Sequence, residues 1–331
     1  TTDGFRWQEV FQGADSVLLS DPSYTPDTQT MKHMYWSPDA ETRRSRLFPF
    51  LWNVVAAEGQ LYGNRKYGNK VNVANPYAIS YPGYSELFTG SADWTLFSNA
   101  RRENPHRNLL EYLNRRPDFR GRVAAFTSWD VFPYILNERR SGLVLNSGYD
   151  SLPASDSSTW ERAFNRVQDS TLREYAHTRP DRLTFEAALD YAKKYHPRVL
   201  YLGLGQTDEY AHSGRYDLYL QQAGAVDQML AELWHFVQTT EGYRNRTTFV
   251  ITTDHGRGTR PAQWSSHHGL VEGASQTWMA LLGPSIPAAG EQRQPGQVYT
   301  RQLAQTMAEI LGTHFSHSSP VAGVMPGGRK Q

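Results

Sequence analysis

Phe249-Val-Ile-Thr-Thr-Asp254-His255-Gly256-Arg257-Gly258 runs from a short β-branched apolar stretch straight into an Asp-His pair and a glycine-rich turn. The apolar part reads as a buried strand. The polar part falls at its carboxyl end, where open α/β sheets place their ligands. A carboxylate oxygen beside an imidazole nitrogen is a donor pair that Zn2+ accepts. The same residues also suit an ordinary turn, with Asp254 bonding the backbone and a glycine supplying positive φ.

A second stretch separates these alternatives. Arg198-Val-Leu-Tyr-Leu-Gly203 also reads as a strand and leads into Gly205-Gln-Thr-Asp208-Glu-Tyr-Ala-His212. Asp208 and His212 are four residues apart, so on a helical turn they share a face. Two strands that each deliver an Asp and a His describe a two-metal constellation. Trp264-Ser-Ser-His267-His268-Gly269 offers a further imidazole. His268, next to the glycine, is the expected ligand, with His267 a supporting partner or a surface residue.

Ser80-Tyr-Pro-Gly-Tyr84 opens a predicted short helix, with Pro82 in its first turn and Gly90 past its end. A hydroxyl there feels the positive end of the helix dipole. A metal would turn that serine into a nucleophile; without one it reads as a plain N-cap. Asp3 precedes a helix start at Phe5-Arg-Trp-Gln-Glu-Val-Phe11 and is a further acidic candidate, although a terminal aspartate by itself reads as mobile.

Further strands are predicted at 122–127 and 277–282. Helices are predicted at 182–195, at 215–238, and after a Thr300 N-cap through Leu303, Met307 and Ile310 to Gly312. Strand-helix alternation argues for an α/β fold with a mostly parallel sheet. Residues 12–45 and 141–180 break the alternation and are expected as insertions in a single domain spanning 1–331. Their aromatics, Tyr24, Tyr35, Trp36, Tyr149 and Trp160, are candidates to stack on a flat leaving group.

The chain has 331 residues, 39% of them apolar and 13% aromatic, so it can bury a sizeable core. A formal charge of +1 argues against binding a nucleic-acid polymer through a bulk field. No apolar run is long enough to span a membrane. With no cysteine, disulfides, thiolate nucleophiles and Cys-type zinc sites are excluded. No signal of oligomeric state is present.

Taken in order, Asp3-Gly-Phe-Arg-Trp, Ser80-Tyr-Pro-Gly, Asp208-x-x-x-His212, Asp254-His255-Gly and His268-Gly resemble the alkaline phosphatase superfamily, most of all its type I phosphodiesterase/nucleotide pyrophosphatase branch. The resemblance covers nearly the whole chain. It implies a three-layer α/β/α sandwich holding two divalent ions, most readily Zn2+. Asp208, His212 and His268 would hold one ion and Asp3, Asp254 and His255 the other, with Ser80 between them as metal-bound nucleophile. The implied activity is hydrolysis of a small phosphoric ester, diester or monoester, through a phosphoseryl intermediate. Relatives place an Asn after the nucleophile to contact the phosphoryl group; Asn99 is favoured here over Asn104. Bacterial relatives are commonly periplasmic or secreted, and the same location is expected here.

Departures from the pattern matter. Tyr84 stands where relatives often carry His, and where the sulfatase motif carries Arg. No Lys-x-Arg pair is found for gripping a terminal phosphate, which tilts the reading toward diesters. Only Thr1 and Thr2 stand where a strand is expected before Asp3, which would weaken the second site. The alternatives are a phosphomutase, a phosphonate hydrolase or a sulfatase of the same superfamily, or a metal-binding relative without catalysis.

Overall fold

The computed structural model describes residues 1–154 and 158–327; Ser155, Asp156 and Ser157 of the serine-rich stretch lie outside it. Its strands are β1 (Gln60–Tyr62), β2 (Asn69–Asn72), β3 (Val123–Thr127), β4 (Val144–Ser147), β5 (Val199–Gly203), β6 (Phe249–Thr252), β7 (Gln276–Thr277), β8 (Met279–Leu282), β9 (Gly290–Glu291) and β10 (Gly296–Tyr299). The chain folds into two compact units, one formed by Thr1–Asn99 and the chain from Thr207 onward, the other by Ala100–Gln206.

The first unit contains two small mixed sheets, ordered β6-β8-β1-β9 and β10-β2-β7. β6 and β1 both run antiparallel to β8, and β2 runs antiparallel to β7, whereas β1–β9 and β10–β2 are parallel. The second unit carries an all-parallel sheet, β4-β3-β5. The expectation of a mostly parallel sheet therefore holds for the second unit and fails for the first. An apolar run encodes burial but not direction. Between β6 and β8 the described chain forms turns, one 3-10 turn and the short β7, with no crossover helix of the kind that a parallel return needs.

All four predicted strands form, the last divided at Trp278 into β7 and β8. The predicted helices are found at Asp181–Tyr195, Tyr216–Thr239 and Gln302–Ile310. Thr300 does not cap the last of these. Its hydroxyl donates to Glu86 Oε1 at 2.9 Å, and Arg301 is the N-cap.

Residues 12–45 are largely helical. Asp15, Asp27 and Asp39 each precede a short helix, and each carboxylate accepts a first-turn amide. The segment contributes Leu18, Leu19, Met31 and Tyr35 to the main core, alongside Phe5, Val10, Leu220 and Trp278. Tyr24 and Trp36 pack against that same core. In the second unit Trp160 stacks on Phe164 at 5.3 Å, and Tyr149 lies under the Arg173 guanidinium. These five rings are therefore engaged by the protein. Among the described aromatics the most exposed are Trp94 and Phe97, at 69% and 64%.

Helix Tyr216–Thr239 carries a buried carboxylate that belongs to none of the motifs. Asp227 accepts the backbone N–H groups of Phe50 and Leu51 at 2.7 and 2.9 Å. Burial outweighs those bonds and pushes its pKa up to about 6. The folded value lies above the unfolded one, so the stability from this group is fully present below pH ~4 and is lost as pH rises through about 6. In denaturant unfolding, the wild-type stability minus that of Asp227→Asn is expected to fall by about 2 kcal/mol between pH 4 and 7. A difference that stays flat with pH contradicts this.

Candidate metal and nucleophile site

The site belongs wholly to the first unit. It begins at β6, whose last residue donates nothing to chemistry but sets the position of Asp254 and His255 just beyond it. Thr2 N–H donates to Thr252 O at 3.1 Å, and Thr2 pairs with Thr253 in a parallel bridge. This brings Asp3 beside Asp254. Asp3 is 4% exposed, and Asp254 and His255 are fully buried. Gly4 turns the chain at φ +55°, and its N–H donates to Asp254 Oδ1 at 3.0 Å. A Cβ at Gly4 would stand 2.5 Å from Asp208 Oδ1, so only glycine fits there.

Ser80 opens the helix Ser80–Thr89, which ends at Gly90 in the left-handed region. The N-cap is Ile79, so the Ser80 hydroxyl has no capping duty. It lies 3.4 Å from Asp3 Oδ1, to which it donates, and 3.3 Å from His255 Nε2. The helix packs closely on the Asp254 backbone. A Cβ at Gly83 would stand 2.3 Å from the Asp254 carbonyl oxygen, which accounts for the glycine in Ser-Tyr-Pro-Gly.

The approach to Ser80 is braced from behind. The buried Glu86 carboxylate accepts the N–H groups of Ala74 and Asn75, the Asn75 side-chain amide and the Thr300 hydroxyl. Asn75 Oδ1 in turn accepts the N–H groups of Tyr77 and Ala78.

Two clusters of metal-type donors result: Asp3, Asp254 and His255, and Asp208, His212 and His267. In each, the donor atoms lie within 4.8 Å of one another. The clusters abut, with the His255 and His267 rings stacked at 3.8 Å and His255 Nε2 4.0 Å from Asp208 Oδ1.

Backbone carbonyls, which can only accept, fix both tautomers. His255 Nδ1 donates to Gly256 O at 2.9 Å and His267 Nδ1 donates to Ala78 O at 3.0 Å. Each Nε2 is thereby presented to its cluster.

The electrostatics call for positive charge. Burial and the neighbouring Asp3 push the Asp254 carboxyl well above the ordinary range. Burial alone would depress His255, but Asp254 and Asp3 outweigh it and raise the imidazole to about 9. Burial, with the charges of His255 and Arg257, depresses His267 and keeps its imidazole neutral. Asp254 Oδ2 is buried with no hydrogen-bond partner. Two crowded buried carboxylates, an orphaned oxygen and an inward-facing imidazole form a donor set that fits a divalent cation.

No family model matches the sequence, and no curated protein matches it. Solved structures do. The alkaline phosphatase PafA is similar over 99% of this chain and 97% of its own, with a TM-score of 0.59 and 10% identity. This chain has the fold of the alkaline phosphatase superfamily. A 2-O GAG sulfatase is similar over 84% of this chain and 68% of its own (TM-score 0.55, 14% identity). The phosphonate monoester hydrolase from Silicibacter pomeroyi is similar over 84% and 71% (TM-score 0.51, 13% identity).

On this alkaline phosphatase fold the structure brings together Asp3, Ser80, Asp208, His212, Asp254 and His255. It does not bring in His268. That residue is exposed, and its Nδ1 accepts the Leu270 N–H at 3.2 Å. His267 takes the place expected for it, 3.0 Å from His212 Nε2 and 3.7 Å from Asp208 Oδ1. The reason is a long-range contact: anchoring of Nδ1 on Ala78 O turns the His267 ring inward.

Asn99 accepts the Tyr81 N–H at 2.9 Å, which places it at the first turn of the Ser80 helix. Asn104 belongs to the second unit, where its Oδ1 accepts the His106 N–H.

Sequence reasoning missed three supports. The Tyr84 hydroxyl donates to Asp3 Oδ2 at 3.0 Å, so a contact survives where relatives often carry His. The Thr207 hydroxyl donates to Asp3 O at 2.6 Å. Arg257, 1% exposed, donates to Gly4 O, Ser265 O and Asp208. Only its place inside Asp-His-Gly-Arg-Gly hinted at it. Among the described residues no helix is long and apolar enough to cross a membrane.

Proposed function

We propose that the chain is a metal-dependent phosphoric ester hydrolase on a three-layer α/β/α scaffold, with Ser80 as its nucleophile. One observation carries the reading. The Ser80 hydroxyl, at a helix N-terminus and without a structural task, faces the buried Asp3–Asp254–His255 cluster at 3.3–3.4 Å.

Asp3, Asp254 and His255 would hold one divalent ion, and Asp208, His212 and His267 a second. Zinc suits these mixed oxygen and nitrogen donors. Bound there, two such ions supply the positive charge that lowers the pKa of a hydroxyl and stabilises an in-line displacement.

The residues do the rest. The braced loop 74–79 and the Tyr84–Asp3 bond hold the Ser80 oxygen in one position. Ser80 Oγ forms a bond to phosphorus as the bond to the leaving oxygen breaks, and the serine proton ends on the departing alcohol. Water then cleaves the seryl–phosphorus ester, which releases inorganic phosphate from a monoester substrate or a phosphate monoester from a diester, and restores the hydroxyl. Asn99, whose Oδ1 accepts the Tyr81 N–H, would donate its side-chain amide to a phosphoryl oxygen. The small substrate and an exported location rest on the same family resemblance.

The test is initial-rate hydrolysis of an aryl phosphodiester, phosphomonoester, phosphonate monoester and sulfate ester in parallel, in zinc-supplemented buffer. The phosphoric esters are expected to turn over fastest. Preference for the sulfate ester, or turnover of none by zinc-loaded protein, contradicts the proposal.

A further inference from the structure

The two donor clusters differ in a way that the motifs do not show. The Asp3–Asp254–His255 cluster is buried throughout and contains two carboxylates, with one oxygen, Asp254 Oδ2, that has no hydrogen-bond partner and only the His255 imidazole at 3.4 Å beside it. The other cluster has a single carboxylate, and its His212 side chain is 48% exposed.

That single carboxylate is already engaged. Arg257 Nη2 donates to both Asp208 O, at 3.2 Å, and Asp208 Oδ1. The remaining oxygen, Oδ2, lies 3.1 Å from His212 Nε2. The guanidinium cannot swing away freely, because Nε is held by Gly4 O at 3.0 Å and Nη1 by Ser265 O at 2.6 Å.

An imidazole bound to a cation is neutral, so the ligands of the first cluster carry a charge of about −2 when occupied, whereas Asp208 and Arg257 together carry about zero. Water also screens the second cluster more strongly, since part of it faces solvent.

We infer that Arg257 is a positioning residue that makes the two sites unequal: the Asp3–Asp254–His255 cluster takes a divalent cation first and tightly, and the Asp208–His212–His267 cluster takes a second, more weakly held one. The inference rests on the metal-dependent reading above. It gives Arg257 two effects. It pins the Asp208 carboxylate in place, and it subtracts one unit of charge from the site that the carboxylate serves.

The test is calorimetric titration of metal-free protein with Zn2+ alone, on the wild type, Arg257→Lys, Arg257→Met and His212→Ala. Wild type is expected to bind two ions in two steps separated by at least about tenfold in Kd, since a full charge within a few ångströms is worth more than that even in a screened site. Arg257→Lys keeps a cation and is expected to keep the gap. Arg257→Met is expected to tighten the second step and narrow the gap. His212→Ala alters an exposed imidazole and is expected to remove the weak step and leave the tight one.

Equal steps in wild type, loss of the tight step in His212→Ala, or a gap unchanged in Arg257→Met overturns the inference. Weakening of both steps by Arg257→Met assigns the residue a purely structural role and also overturns it. If Arg257→Met does not fold, the His212→Ala titration still decides the order of filling. Absence of zinc binding to the wild type overturns the metal-dependent reading itself, an outcome distinct from two equal sites.

Discussion

Ser80→Ala is expected to lower kcat by about 10^4-fold or more, a loss of the size seen when a covalent nucleophile is removed. The fold should hardly notice. Ser80 is the first residue of its helix, the N-cap is Ile79, and no cap bond runs through the serine side chain. The hydroxyl has long contacts only, at 3.3 and 3.4 Å. Alanine is the best helix former, so the change in stability should stay within about 0.5 kcal/mol. Zinc stoichiometry should also persist, because three other donors surround each position. The combination to look for is lost turnover, intact folding and intact metal content. A variant that keeps its rate removes Ser80 from the chemistry; one that unfolds assigns it to structure.

Asp254→Asn should be nearly as damaging to activity and for a different reason. Asp254 is fully buried, one oxygen accepts the Gly4 N–H, and the other has no hydrogen-bond partner. Asparagine keeps the shape and the Gly4 bond but removes the charge. The buried cluster should then lose its ion, leaving one zinc per chain. Turnover should fall by about a thousand-fold, corresponding to about 4 kcal/mol of transition-state stabilisation from the missing ion.

Metal-free Asp254→Asn is expected to be at least as stable as metal-free wild type, because burial and Asp3 both disfavour the Asp254 charge. Adding zinc should raise its Tm by less than it raises that of wild type, since one binding equilibrium no longer contributes. Two zinc ions per chain with unchanged activity would show that the buried cluster does not depend on this carboxylate.

The sequence showed the site more clearly than the sheet around it. Asp208, His212, Asp254 and His255 were legible because polar donors directly after apolar strands have few other reasons to stand there. Ser80 was legible because Pro82 and Gly90 bracket a helix. His267 was not distinguishable from His268, since the choice depends on which ring the Ala78 carbonyl, almost two hundred residues earlier, turns inward. Strand direction was hidden for a similar reason: Thr277–Leu282 reads as apolar in either direction, and only its pairing with β6 shows it to be antiparallel. The helices in 12–45 were written in Asp15, Asp27 and Asp39, but their short length and low apolar content left no periodicity to detect. The role of Arg257 was not legible beyond its place in the motif, because its partners Gly4, Ser265 and Asp208 come together only in three dimensions.

The most direct measurement is anomalous X-ray diffraction at the zinc edge from crystals grown with saturating zinc. Two peaks are expected, one enclosed by Asp3, Asp254 and His255 and one by Asp208, His212 and His267, with the Ser80 oxygen beside them. Zinc-saturated crystals with no peak in the buried cluster, or with zinc ligated by His268 in place of His267, would contradict the account.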